Sequence, residues 1–151
     1  MLKRTAGELL EMKGRDVLTI QDESSVYEAV ATMSEKNVGA LVVQSPGVMV
    51  AGIVSERDYA RKLLLEDRDA RSTNVSEIMT AEVITAHEGM SLDGCMALML
   101  RNQIRHLPIV DGEQPVGVLT LGDIMKTTIR EQSAAIEELE SYVFDDQGGE
   151  S

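Results

Sequence analysis

Two short strings hold most of the residues able to do chemistry, Ser55-Glu56-Arg57-Asp58 and Thr120-Leu121-Gly122-Asp123. Each follows an apolar run opened by glycine, Gly52-Ile53-Val54 and Gly117-Val118-Leu119, and in each an aspartate stands three positions after a hydroxyl. A hydroxyl at the N-cap and a carboxylate in the first turn are what a helix start prefers, so both strings read as a strand running into a helix. The same groups suit a polar ligand. The carboxylate can accept hydrogen bonds from the two vicinal hydroxyls of a ribose, and the hydroxyl and exposed N–H groups fit a sugar or phosphate oxygen. An ordinary helix cap is the competing explanation of either copy alone. Arg57, Arg61 and Arg105 add guanidinium groups, which neutralise phosphate with directed, paired hydrogen bonds.

Little else in the chain suggests reactivity. His106 precedes Leu107-Pro108 at a strand start, and is either a partly exposed, stacked residue or a phosphate or base contact; His87 lies near a turn. The lone Cys95 falls beside Met96 and Met99 on an apolar helical face and reads as a packing thiol, and the nine methionines read as core filler. Acidic runs such as Glu137-Glu138 and Asp145-Asp146 lack calcium-loop spacing and read as solvated surface. There is no nucleophile elbow, no Walker-type glycine loop with lysine and no metal-ligand cluster, so the expectation is a non-catalytic protein.

The elements that must position these residues follow from apolar periodicity. Thr5 to Met12 is a short lead-in helix stopped by Gly14, and Val17 to Ile20 is a brief strand. Val26, Ala29, Val30 and Met33 recur at helical spacing through Lys36. Ala40 to Val43 and Val48 to Val54 are apolar strands joined by the Ser45-Pro46-Gly47 turn, and a helix from the Ser55 turn reaches about Glu66. Asp67 to Thr73 is a charged linker. The series then repeats: Val75 to Met79 as a lead-in helix, Val83 to Ala86 as a strand, Leu92 to Asn102 as a helix, Leu107 to Val110 and Val116 to Thr120 as strands, and a helix from Leu121. The offset is 66 from Val17/Val83 through Leu41/Leu107, and 65 from Gly52/Gly117 onward. Such regularity over about 50 residues points to duplication.

The last helix outruns the repeat. Ile129, Ile136 and Val143 stand seven apart with Leu139 between them, although Gln132 and Ser133 interrupt the pattern. This is either a seam for another helix, as in a dimer, or a face packed back on its own domain. The expected divisions are 1–71, a repeat with its lead-in helix; 72–131, the second repeat; 132–144, a helical extension; and 145–151, a disordered tail.

With 151 residues, 43% of them hydrophobic, the chain can bury one good core. A net charge of −12 argues against nucleic acid and anionic membranes as partners. No run is long enough to span a bilayer, and Met1 to Leu10 lacks a secretory apolar core, so a cytoplasmic location is expected.

The repeat, the strand ending in Ser/Thr-x-x-Asp, and the segments Asn37-Val38-Gly39-Ala40-Leu41-Val42-Val43 and Ile104-Arg105-His106-Leu107-Pro108-Ile109-Val110 together resemble the CBS domain family over about residues 5 to 131. The resemblance is to stand-alone proteins with two such repeats. It implies an α/β fold of α+β type, with two pseudo-twofold-related β-α-β-β-α repeats packed as one module and an extended C-terminal helix. It further implies that two modules associate as a homodimer, and that clefts between the repeats bind an adenine nucleotide as a regulatory ligand. That ligand would be AMP foremost, with ADP, ATP, NAD(H) or S-adenosylmethionine as alternatives. Carried over by position, one cleft combines Ser55, Arg57 and Asp58 with Thr80, Val83, Ile84, Ile104, Arg105 and His106. The other combines Thr120 and Asp123 with Glu11, Val17, Val38, Gly39 and Ala40. Asp58 and Asp123 become the ribose acceptors. The first cleft gathers two arginines and a histidine, so an anionic ligand should prefer it. The family reading makes the chain a sensor acting on a separate, unnamed protein; the competing reading is a structural interaction module with empty clefts.

Overall fold

The computed structural model describes residues 4–148, with side chains through 141. Helix α1 (Ala6–Lys13) is capped by the Thr5 hydroxyl, which accepts from the Glu8 N–H, and ends at Gly14, whose φ of 115° excludes most other residues. Strand β1 (Thr19–Gln21) lies parallel to β2 (Ala40–Ser45), which pairs antiparallel with β3 (Val48–Ser55). Helix α2 (Val26–Lys36) starts on the Ser25 cap and stops at left-handed Asn37. Ser55 closes β3 and caps the short helix α3 (Glu56–Tyr59), which widens into a π-helical turn over Ala60–Leu64.

The second half repeats this plan with two departures. Its lead-in is only a 3-10 turn, Val75–Glu77, not the helix expected over 75–79. The chain cannot coil further, because both backbone groups of Thr80 are bonded in extended fashion to Ile53, at 2.9 and 3.0 Å. Its first strand, expected at Val83 to Ala86, shrinks to a single bridge between Ala86 and Ile109. The reason is Pro108. In the first half the Val42 N–H donates to Leu18 O at 3.0 Å, whereas the equivalent residue, Pro108, has no N–H to give to Ile84. Helix α4 (Leu92–Asn102), strands β4 (His106–Asp111) and β5 (Gln114–Thr120) and helix α5 (Leu121–Gly148) complete the chain. The sheets are therefore β1-β2-β3 and β4-β5.

The halves exchange their lead-ins. Ala6, Leu9 and Leu10 of α1 are buried among Cys95, Met99, Leu107, Ile109, Leu119 and Ile124 of the second half. Val75 and Ile78 are buried among Val26, Ala29, Met33, Leu41, Val43, Val54 and Leu63 of the first. A glycine inside each motif strand, Gly52 in β3 and Gly117 in β5, makes this exchange fit. A Cβ on Gly117 would lie 2.5 Å from a Leu10 methyl, and one on Gly52 would lie 2.9 Å from the Thr80 carbonyl oxygen.

Helix α5 continues to Gly148, so residues 145–148, expected as part of a disordered tail, extend the helix instead, and 149–151 lie outside the described residues. No glycine or proline interrupts the sequence between Leu121 and Gly148 except Gly122 in the first turn, so nothing local stops the helix. From 132 to 141 every residue is exposed, so this part does not pack back on its own module.

Candidate ligand clefts

Both hydroxyl–carboxylate pairs form reciprocal caps. Asp58 Oδ2 accepts from the Ser55 N–H at 2.9 Å and the Ser55 hydroxyl at 3.0 Å, while the Asp58 N–H donates to Ser55 Oγ at 3.2 Å. Asp123 Oδ2 accepts from the Thr120 N–H at 2.9 Å, and the Asp123 N–H donates to Thr120 Oγ1 at 3.0 Å. The caps set each motif at the mouth of a cleft.

The first cleft has a volume of about 520 Å³. Of the residues expected there, Ser55, Arg57, Thr80, Ile104, Arg105 and His106 line it, joined by Arg61, Glu56, Gln103, Ile53 and Gly39. Asp58, Val83 and Ile84 are not in its wall. Asp58 sits behind the Ser55 cap with only 14% of its side chain exposed, its Oδ1 3.2 Å from Lys62 Nζ. Val83 faces a separate cavity of about 410 Å³ between the hairpin ends, with Met49 and Val110, and Ile84 packs on the second core.

The second cleft, of about 580 Å³, brings together Val38, Gly39, Ala40, Thr120 and Asp123 as expected. Glu11 and Val17 do not line it; Glu11 is bound to Arg15 at 2.7 Å. Lys13, Lys36, Asn37, Asp16 and Leu18 were not foreseen. Lys13 ends α1 and reaches across to Asp123 at 2.6 Å and to the Val118 carbonyl. Burial alone would raise the Asp123 carboxyl, but the hydrogen bonds from Lys13 and Thr120 outweigh it and hold the group below the usual carboxylate range. The signal for Lys13 was present in sequence, as a basic residue in a helix's last turn before glycine, but its partner lies 110 residues away.

The clefts differ in charge. Three guanidinium groups face one carboxylate, Glu56, in the first, whereas Lys13 and Lys36 are matched by Asp16 and Asp123 in the second. His106 stands between them and forms part of both walls. Its ring lies over Gly39, where an added Cβ would come within 3.3 Å of Nε2. Burial first, and then the positive charges of Lys13 and Arg105, lower its pKa, with Asp123 acting in the opposite sense.

Comparison with known proteins gives a consistent picture. The family model described as the CBS domain matches residues 8–65 and again 75–130. The CBS domain-containing protein CBSX3, mitochondrial, of Arabidopsis thaliana is 35% identical over 96% of this chain and 73% of its own length. A putative signal-transduction protein with CBS domains from Burkholderia ambifaria superposes with a TM-score of 0.80 at 42% identity, covering 85% of this chain and 96% of that one. The CBS domain protein PAE2072 from Pyrobaculum aerophilum, complexed with AMP, shares the fold at a TM-score of 0.71 and 24% identity, over 79% of this chain and 88% of its own.

Proposed function

The chain belongs to the CBS domain family as a tandem pair of repeats, and from that premise we propose that it is a non-catalytic sensor which binds an adenine nucleotide in the first cleft. Proteins with such pairs are regulatory modules. The observation that carries the proposal is the convergence of Arg57 and Arg61 from one half with Arg105 from the other on a cleft of about 520 Å³. That volume suits a mononucleotide, and three guanidinium groups facing one carboxylate favour a phosphate over a neutral adenosyl group. AMP is the leading candidate, supported by its presence in the Pyrobaculum aerophilum relative; ATP and NAD(H) carry the same recognition elements. Ser55 and Thr80 supply hydroxyls, Ile53 and Ile104 an apolar surface for the base. Asp58 accepts the ribose hydroxyls once Lys62 yields its Oδ1. Thr120 and Asp123, with Val38 and Gly39, form the second and weaker site, where Lys13 already occupies the acceptor.

A ligand held by both halves favours the arrangement in which its two sets of contacts are closest to ideal, and only that difference in affinity can signal to a partner protein. Thermal denaturation of nucleotide-free protein with AMP, ADP, ATP, NAD(H) and S-adenosylmethionine tests the proposal. The melting temperature rises with concentration of at least one phosphate-bearing ligand. Asp58→Ala and Arg105→Ala, each melting cooperatively, lose that rise. No shift at millimolar ligand would replace sensing with a purely structural role.

A further inference from the structure

Each motif carboxylate is held by a lysine, but the two lysines come from opposite sides. Asp58 meets Lys62 of its own helical segment at 3.2 Å, and Lys62 Nζ also donates to the Ile78 carbonyl of the lead-in at 3.1 Å. The second-half counterpart of Lys62 is Thr127, whose hydroxyl only donates back to the Asp123 carbonyl at 3.0 Å. Asp123 is met instead from the lead-in, by Lys13 at 2.6 Å. The counterpart of Lys13 is Met79, which packs on the first core.

The two lead-ins are therefore fastened differently. At the first cleft the Thr80 N–H donates to Ile53 O at 2.9 Å and the Ile53 N–H to Thr80 O at 3.0 Å, a bridge made by backbone alone. Val118 is the counterpart of Ile53. Among the described residues no backbone group of α1 bonds to it, and its carbonyl accepts from Lys13 Nζ. One ammonium thus makes both contacts of the α1 end with the second cleft, and one displacement breaks both. The rest of α1 is held by buried Leu9 and Leu10, and Arg15 pairs with Glu88 at 2.6 Å, neither of them in the cleft wall. An ammonium and the hydroxyls of a ribose are all donors to a carboxylate, so they compete for Asp123. Lys36, in the same wall, remains to face a phosphate.

We propose that Lys13 is a latch which a nucleotide entering the second cleft displaces, releasing the end of α1 from the second half. This rests on the reading of the clefts as nucleotide sites and adds a division of labour between them. Filling the first cleft leaves the backbone bridge of its lead-in in place, whereas filling the second unties the first half's lead-in. Because the ligand must displace Lys13, the nucleotide level that opens the latch lies above the level that fills the first cleft.

Calorimetric titration with AMP tests the latch, on chains carrying Arg105→Ala so that only the second cleft is read; Arg105 is not in its wall. Adding Lys13→Met, which keeps nearly the length of the side chain without its charge, tightens AMP binding at least roughly 10-fold. Adding Asp123→Ala as well removes that gain, in a protein that still melts cooperatively. In the Arg105→Ala chain at saturating AMP, hydrogen exchange speeds up in the last turn of α1, where the Gly14 N–H donates to Leu10 O at 2.7 Å. With Lys13→Met added, that turn exchanges as fast without AMP.

AMP binding unchanged or weakened by Lys13→Met, or α1 exchange slowed by AMP, would overturn the latch; a wild type that binds AMP more tightly than Arg105→Ala would still uphold the first-cleft reading. The converse result, a gain with Lys13→Met beside a wild type no tighter than Arg105→Ala, would uphold the latch and overturn the first cleft as the main site. No AMP bound by any of these chains would overturn both.

Discussion

At the scale of single residues, His106 is the side chain with most consequences. It forms part of both clefts and rests on Gly39, so whatever enters either cleft meets the same imidazole. Its folded-state pKa is lowered, by burial first and then by Lys13 and Arg105. As pH falls below about 6.5 the unfolded imidazole takes up its proton first, so stability declines from there until the folded imidazole is protonated too. His106→Gln removes this contribution. Its melting temperature should change less than the wild type's between about pH 7 and pH 5, and equal slopes would show that His106 plays no part. The two caps were legible in the sequence because a hydroxyl and a carboxylate three positions apart interact locally. Lys13 was not, because its partners, Val118 and Asp123, are more than a hundred positions away and only the folded chain brings them together. The place of Asp58 in the first turn behind a Ser55 cap is legible in the sequence, but not its screening by Ser55 and Lys62, which depends on the rotamers of three side chains.

At the scale of elements, Pro108 and the Thr80–Ile53 bridge explain why two similar sequences build unlike halves. Helices α2 and α4 were readable to the residue, because each has a serine cap, an apolar face and a left-handed stop at Asn37 or Gln103. The missing strand was not, since the apolar run Val83-Ile84-Thr85-Ala86 looks like a strand, and the defect lies in Pro108 on the neighbouring chain segment. Gly52 stands where the Thr80 backbone approaches, and backbone gives way less readily than a side-chain tip. Gly52→Ala should therefore cost about 1–3 kcal/mol of stability. It should also weaken nucleotide binding, because Thr80 lines the first cleft. Urea unfolding and a ligand titration measure the two effects; a variant with wild-type values for both would mean that the strand shifts to make room.

At the scale of the whole molecule, the exchanged lead-ins join two small cores into one unit. Leu10 is fully buried in the second half although it belongs to the first in sequence. Leu10→Ala should cost about 2–5 kcal/mol, as large-to-small changes in cores do. Hydrogen exchange should then speed up at the slowest amides of β2–β3 as well as of β4–β5, since cooperative unfolding exposes both sheets together. A loss confined to β4–β5 would mean that the halves open separately. The duplication was plain from the constant offset, but the exchange was not, because a repeat states which segments are equivalent and not which copy each one packs against. The exchange also sets an order of events at the ribosome. The first half can close once Val75 and Ile78 have emerged, whereas Ala6, Leu9 and Leu10, made before either half is complete, find no core until Leu119 and Ile124 are synthesised. A segment made before both halves is thus among the last to be buried, and while the rest is translated its apolar face is open to chaperones.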